Sequence, residues 1–253
     1  MTKVLLSGCG GSMGTEITNM ASETKEVRIV CGFDIRAGVK RDYPVYQKLK
    51  DCKEKPDVII DFSNPEALEE LLEYAVGHNI PVVIATTGLS IQHRSMLQEV
   101  SNKIPVFFSA NMSLGINLLI SLVQKAAKVL GEDFDIEIIE KHHNRKIDAP
   151  SGTALYIADS INAVLDNKEQ YVYDRHSSRK SRSKNEIGIH AVRGGTITGE
   201  HSVIFAGNDE IIEINHSARS RDIFASGALK AAAFIFGKKA GMYNMSDLLG
   251  QNM

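Results

Sequence analysis

Lys3-Val4-Leu5-Leu6-Ser7-Gly8-Cys9-Gly10-Gly11-Ser12-Met13-Gly14 opens the chain with a short apolar run and then a burst of glycine. Val4-Leu5-Leu6 predicts a buried strand, and the glycines predict a tight turn feeding a helix over Thr15 to Ser22. Val27 to Phe33 predicts a second strand, ending at Asp34. Strand, glycine turn, helix, strand and acid, in that order, is a βαβ unit of the dinucleotide-binding kind. The glycines fit G-x-G-x-x-G only in a shifted reading and fit Gly8-x-x-Gly11-x-x-Gly14 cleanly. The physics is the same in either alignment: glycines let the backbone approach a pyrophosphate, and the next helix N-terminus offers N–H donors and partial positive charge. Asp34 can accept hydrogen bonds from an adenosine ribose diol, which favours NAD(H). Arg36, or Lys40 and Arg41, can instead reach a 2′-phosphate and admit NADP(H), although Arg36 reads equally well as a solvated loop cation.

The same alternation continues outward from this unit. Val58-Ile59-Ile60 and Pro81 to Ile84 predict strands ending in Asp61-Phe62-Ser63 and Ala85-Thr86-Thr87-Gly88, and Val106 to Phe108 predicts one ending in Ser109-Ala110-Asn111. Helices are predicted over Glu66 to Gly77, with Ser63 or Asn64 as cap ahead of Pro65, and over Ile91 to Asn102. Repeated β-α-β with polar residues at each strand's C-terminal end describes an α/β fold with a doubly wound, Rossmann-like parallel sheet.

Beyond Asn111 the character changes. A helix over Ile116 to Leu130 and a strand over Phe134 to Ile139 precede a helix over Leu155 to Leu165. Residues 171–185 are polar and basic without apolar period and predict a mobile, solvated loop. Ile187 to Val192, Ser202 to Ala206 and Ile211 to His216 alternate like half-buried antiparallel strands. Phe224 to Gly237 predicts an Ala-rich helix that returns to the first domain. The expected domains are therefore residues 1–111, completed by 222–253, for the dinucleotide and an α+β domain over 112–221 with a mixed sheet.

A formal net charge of −2 gives no global reason to expect a nucleic-acid partner. The basic stretch over residues 175–184 lacks the aromatic side chains on which bases stack. No apolar run is read as approaching the ~20 residues of a membrane span, and the N-terminal apolar run is too short for a signal peptide. Cys9, Cys31 and Cys52 are odd in number and show no metal-ligand spacing, so they read as small buried hydrophobes of a reducing, cytoplasmic compartment, with no metal expected.

The chemistry concentrates in Glu140-Lys141-His142-His143-Asn144-Arg145-Lys146-Ile147-Asp148-Ala149-Pro150-Ser151-Gly152-Thr153-Ala154. Imidazole and ammonium can each donate a proton, while Ser, Thr and backbone N–H groups can hold a carboxylate. That combination suits an anionic substrate protonated during reaction. His142 and His143, adjacent on a strand or turn, point to opposite sides. Asp148 reads as a turn and cap residue, Glu140 as a partner for a cation, and His201 and His216 as core or interface residues.

With these motifs in hand the chain resembles the 4-hydroxy-tetrahydrodipicolinate reductase (dihydrodipicolinate reductase) family over essentially its whole length. The resemblance is carried by the glycine turn, Asp61-Phe62-Ser63-x-Pro65, Thr86-Thr87-Gly88 and Asn111-x-Ser113-x-Gly115-x-Asn117, by the run from Glu137 to Ala154, and by Arg193-Gly194-Gly195-x-x-x-Gly199-x-His201. It implies that His142 donates and accepts a proton, that Lys146 donates one, that His143 contacts the substrate, and that Ser151, Gly152 and Thr153 cradle a substrate carboxylate. It places the cofactor along Gly8, Cys9, Gly10, Gly11, Ser12 and Met13, at Asp34, along Ala85, Thr86 and Thr87, and along Ser109, Ala110, Asn111 and Met112. It implies NADH and/or NADPH as cofactor, a cyclic dicarboxylate as substrate, and a homotetramer built by the second domain. Ser12 and Ile35 stand where many relatives carry basic residues, which shifts the expectation modestly towards NADH, and Ala85 replaces a usual glycine.

Overall fold

The computed structural model describes residues 1–250. The chain divides into two compact units, Met1–Leu114 with the segment from Arg221 onward, and Gly115–Ser220.

In the first unit β1 (Thr2–Ser7), β2 (Val27–Phe33), β3 (Val45–Tyr46), β4 (Val58–Asp61), β5 (Val82–Ile84), β6 (Pro105–Phe108) and β12 (Gly241–Tyr243) form one sheet in the order β12-β6-β5-β4-β1-β2-β3. All its pairs are parallel. Parallel strands need crossovers, and α1 (Ser12–Glu23), α2 (Leu68–His78) and α3 (Ile91–Ser101) supply them. Alternate residues of β1 show why both faces are covered. Val4 and Leu6 pack with α1 and α6 (Asp222–Ile235), while Leu5 packs with α2 and α3. The short β3 and β12 are edge strands not anticipated from the sequence, since two or three residues carry no readable period. The helix expected from Glu66 is a 3₁₀ turn, Pro65–Ala67, leading into α2; Asn64 sits at its cap position without a side-chain bond, and the Ser63 hydroxyl donates instead to Asp61 Oδ1 at 2.6 Å.

The second unit holds β7 (Asp135–His142), β8 (Gln170–Val172), β9 (Glu186–Arg193), β10 (Gly199–Ala206) and β11 (Ile211–Ala218), in the order β11-β10-β7-β9-β8. Its sheet is mixed: β10 runs antiparallel to β7 and β11, but β9 runs parallel to β7 and β8. The antiparallel expectation for β9 is therefore corrected. Two crossovers make the parallel pairings possible: α5 (Gly152–Val164) returns the chain between β7 and β8, and residues 173–185 return it between β8 and β9. Helices α4 (Leu114–Leu130) and α5 cover one face of the sheet and share a core with Ile136, Ile138, Val203 and Phe205.

Two further expectations are corrected here. Residues 171–185 are no free loop: after β8, Arg175 pairs with Glu137 and Glu186 at 3.0 Å each, and Arg182 pairs with Asp135 at 2.8 Å and Glu137 at 3.1 Å. These charges have partners on β7 and β9 that only the fold brings near. In addition, α4 with the 3₁₀ turn after it spans Leu114–Asp133, 20 residues long and apolar enough by length and composition to cross a membrane. Its apolar stripe of Ile116, Leu119, Ile120, Val123 and Ala127 is buried in the second core, the behaviour of an amphipathic core helix.

Candidate active site

In the first unit, Gly8 follows β1 with φ +76°, and a Cβ there would meet the Phe62 carbonyl oxygen at 2.5 Å, so only glycine fits both the turn and the close approach. Gly11 is the N-cap of α1, with no side-chain cap and no acidic residue in the first helical turn, which leaves this terminus open to an anion. Gly8, Gly11, Asp34, Arg36, Phe62 and Ser63 are among the residues lining a cavity of about 350 Å³ at the carboxyl ends of β1, β2 and β4. Donor set, shape and charge at this terminus fit the pyrophosphate and ribose of a nicotinamide dinucleotide.

Asp34 is 4% exposed and accepts the Gly10 N–H at 2.8 Å; the Arg36 guanidinium donates to both its oxygens at 3.0 Å. Burial alone would raise its pKa, but the Arg36 and Gly10 donors outweigh that and hold the carboxyl below its ordinary value. Arg41 is not a free phosphate ligand. Its guanidinium donates to the Cys9 carbonyl at 2.6 Å and to Thr15 Oγ1 at 2.7 Å, bracing the turn. The Cys9 side chain is fully buried, so only its backbone borders the turn's outer side. Ser12 and Met13 open α1. Ala85 and Thr86 are buried after β5, where Thr86 donates to Asp61 Oδ2 at 2.5 Å, and Thr87 follows at that strand end. After β6, the Ser109 hydroxyl donates to the Asn111 carbonyl at 2.7 Å, Ala110 lies between them, and Met112 is buried. The expected cofactor residues thus all lie at carboxyl ends of neighbouring strands of one sheet, in the pattern that binds ligands in open α/β folds. Phe62 and Ser63, not among the expected cofactor residues, line the cavity as well.

The sequence places no metal, and the spacing of the cysteines hides a juxtaposition: Cys31 and Cys52 lie with their Sγ atoms 3.5 Å apart, and Cys52 Sγ is 3.7 Å from Glu54 Oε2. Burial pushes the Cys31 thiol up, and thiol hydrogen bonds account for the contacts.

In the second unit β7 runs through to His142, further than the sequence suggested, so Glu140 and His142 share one face of a strand. Glu140 is fully buried. Its Oε2 accepts from His142 Nδ1 at 2.6 Å and Arg193 Nη1 at 2.7 Å; its Oε1 accepts from Arg193 Nη2 at 2.6 Å and from the Ser151 N–H at 2.9 Å. Burial would raise this carboxyl, yet Arg193, His142 and Ser151 together hold it below the ordinary glutamate value. The strand register explains the meeting: His142 pairs with Arg193 on β9, and Glu140 pairs with His201 on β10.

His143 follows in the turn, where its carbonyl accepts the Lys146 N–H at 3.1 Å and the Lys146 ammonium pairs with Asp148 at 2.9 Å. Asp148 is 58% exposed, and its carboxyl is lowered first by Lys146 and also by the Gly152 N–H. Ser151 is the N-cap of α5, accepting from the Ala154 N–H at 3.1 Å, so the helix begins at Gly152, earlier than expected. Ser151 is buried, whereas Gly152 is exposed and Thr153 half-buried at the open end of the helix. His142, His143, Lys146, Ser151, Gly152 and Thr153 therefore belong to one strand end and the helix N-terminus tied to it through Glu140.

His201 is core, as its strand position implied, yet its Nε2 lies 3.2 Å from Ser151 Oγ and its ring meets His142 edge-on at 5.3 Å. Burial first, then the neighbouring His142, drives its pKa down to about 4. A folded value below the unfolded one means that its contribution to stability is complete above the unfolded value of about 6.5 and is lost as pH falls towards 4. Stability should therefore drop by about 2 kcal/mol between pH 7 and pH 5 from this group alone. Urea midpoints at the two pH values check this, with the drop shrinking by most of that amount in His201→Gln; an equal drop in both proteins would show that His201 is not the cause.

Comparison with known proteins agrees with the geometry. Residues 2–112 match the family described as "Dihydrodipicolinate reductase, N-terminus" and residues 115–249 the one described as "Dihydrodipicolinate reductase, C-terminus". The chain is 57% identical over 249 residues to the 4-hydroxy-tetrahydrodipicolinate reductase of Caldanaerobacter subterraneus subsp. tengcongensis, covering 98% of each chain. It is 49% identical to the protein of the same name from Clostridium tetani, covering 98% of this chain and 97% of that one. The fold superposes on a dipicolinate-bound dihydrodipicolinate reductase from Paenisporosarcina sp. TG-14 with a TM-score of 0.82 at 24% identity, covering 96% of this chain and 97% of that one. With both of its halves matched and close relatives aligned end to end, the chain belongs to the dihydrodipicolinate reductase family.

Proposed function

We propose that this chain catalyses the NAD(P)H-dependent reduction of 4-hydroxy-tetrahydrodipicolinate to tetrahydrodipicolinate with loss of water, in the diaminopimelate route to lysine. One observation carries the reading beyond family membership. A carboxylate, that of Asp148, is already paired with the Lys146 ammonium at 2.9 Å, four residues before α5 opens at Gly152. Because Asp148 is exposed, a substrate carboxylate can take its place. That cradle stands on the same strand end as His142.

When bound, the nicotinamide supplies the hydride. This chain's residues do the rest. Gly152 and Thr153 hold one carboxylate of the ring. The Lys146 ammonium offsets negative charge developing on the substrate and delivers a proton from Nζ, and His142 exchanges one at Nε2. The first unit binds the dinucleotide through the turn at Gly8–Met13, with Asp34 and Arg36 at the ribose.

Asp34 favours NADH, and Arg36 admits NADPH if it leaves Asp34 for the 2′-phosphate. Arg36→Ala is expected to lower kcat/KM for NADPH about 10-fold while changing that for NADH by less than about threefold, the worth of a charge-assisted contact. An unchanged ratio of the two would remove Arg36 from cofactor choice. The homotetramer that the resemblance implies would be built on the second unit and is checked by light scattering, with a mass four times the 27.8 kDa chain. Three free cysteines suit a cytoplasmic enzyme.

The deciding experiment follows nicotinamide absorbance with the substrate generated in situ from pyruvate and aspartate semialdehyde by a coupled synthase. Oxidation of NADH or NADPH that requires the synthase product is expected. No oxidation by a protein that binds either dinucleotide would overturn the assignment.

A further inference from the structure

We propose that Glu140 is a positioning residue that fixes the His142 imidazole with its proton on Nδ1 and its Nε2 presented beside Gly199, while tying that ring to the cradle at the start of α5. This rests on the reading of His142 as a proton-exchanging group.

Glu140 has no exposed surface and receives four hydrogen bonds from three residues, Arg193, His142 and Ser151. An ionised carboxylate only accepts, so the hydrogen in the 2.6 Å contact to His142 must sit on Nδ1. Arg193 keeps Glu140 ionised in a site that would otherwise neutralise it. In the neutral imidazole that leaves Nε2 as the lone-pair nitrogen, the atom able to take or return a proton.

The surroundings of Nε2 point the same way. A Cβ built on Gly199 would lie 3.1 Å from His142 Nε2, so the absence of a side chain there keeps the reacting nitrogen open. With Nδ1 held by Glu140, the ring cannot swing aside to relieve such a contact. The Ser151 N–H on Glu140 Oε1 completes the device, because Ser151 caps α5. Proton donor and carboxylate cradle thus share one anchor, and the register between them is set by a rigid carboxylate rather than by the turn over residues 143–150.

Glu140→Gln is the discriminating variant. Its carbonyl oxygen at the Oε1 position keeps the contacts from the Ser151 N–H and Arg193 Nη2, while its NH₂ at the Oε2 position gives up the Arg193 Nη1 contact, turns the His142 contact around and draws the lone pair to Nδ1. Long-range ¹H–¹⁵N spectra of ¹⁵N-histidine-labelled, ligand-free protein read the tautomer directly, with His142 assigned from His142→Asn. We expect Nε2 to be the unprotonated nitrogen in the wild type and Nδ1 in Glu140→Gln. Coupled assays should show kcat lower by about 10²-fold, the lower end for general acid–base catalysis, with KM within about twofold. Gly199→Ala should lower kcat in the wild type and add little in Glu140→Gln, since Nε2 there already carries the proton and no longer takes one.

A wild-type spectrum with the proton on Nε2 overturns the proposal whether or not the variant folds. So does an unchanged kcat in a Glu140→Gln protein whose tautomer has reversed. Absence of reductase activity in the wild type would instead sink the functional reading, and the spectrum would still decide what Glu140 holds.

Discussion

Replacing Lys146 by alanine is expected to lower kcat about 10³-fold while leaving dinucleotide binding unchanged. Two effects combine at this side chain. A positioned general acid contributes roughly 10²–10⁴-fold, and one preorganised charge at developing negative charge contributes roughly 10²–10³-fold. They share one ammonium, so their product is not expected and the smaller combined figure applies. The Lys146 side chain is 21% exposed and held by Asp148 at 2.9 Å, so its amine is oriented before any substrate arrives. Lys146→Arg separates the two roles, because guanidinium keeps the charge but does not release its proton. That variant should recover about 10-fold over alanine through its charge alone. The measurement is kcat from the coupled assay beside NADH affinity by fluorescence titration. An alanine variant with wild-type kcat would remove Lys146 from the chemistry, and one that loses NADH binding would show that the substitution acts through folding.

How much of this was legible in the sequence depended on how local each signal is. The glycine turn, β2 and Asp34 could be read because turn, strand and acid are adjacent along the chain, and Val27–Phe33 is bounded as the apolar run suggested. The run from His142 to Thr153 could be read as one cluster for the same reason. The partners of Glu140 were not legible. Arg193 and His201 lie on β9 and β10, and only the registers His142↔Arg193 and Glu140↔His201 bring them to β7. One signal was available: Glu140 and His142 are two residues apart, and carrying the strand to His142 would have placed them on one face. The basic stretch around Arg175 and Arg182 misled for the converse reason, because its acidic partners sit elsewhere in sequence at Asp135, Glu137 and Glu186. Parallel pairing of β9 escaped too, since alternation along a strand reports its faces and says nothing of its neighbours' direction.

Arg193→Leu is expected to cost about 3–5 kcal/mol of stability at pH 7, the range for breaking a buried ion pair from one side. The guanidinium gives Glu140 two of its four hydrogen bonds and also donates to the Asp148 carbonyl at 2.6 Å. Leucine leaves a fully buried carboxylate without its counter-charge. Glu140 can escape by binding a proton, and from an unfolded value near 4.5 that costs about 3.4 kcal/mol at pH 7, which bounds the electrostatic part of the loss. The sign follows. In the wild type the folded-state pKa of Glu140 is lowered, so its stabilisation is present above the unfolded value and is lost as pH falls through the folded one. In Arg193→Leu the folded-state value lies above the unfolded one, so the deficit is greatest at neutral pH and narrows as pH falls towards 4.5. Urea midpoints from pH 7 to pH 5 measure that convergence. The double variant Arg193→Leu with Glu140→Leu should be destabilised by less than the sum of the single changes, because removing both charges leaves nothing unpaired. A deficit independent of pH, with additive single changes, would mean that Arg193 acts through packing and that the carboxylate beside His142 is not held charged by it.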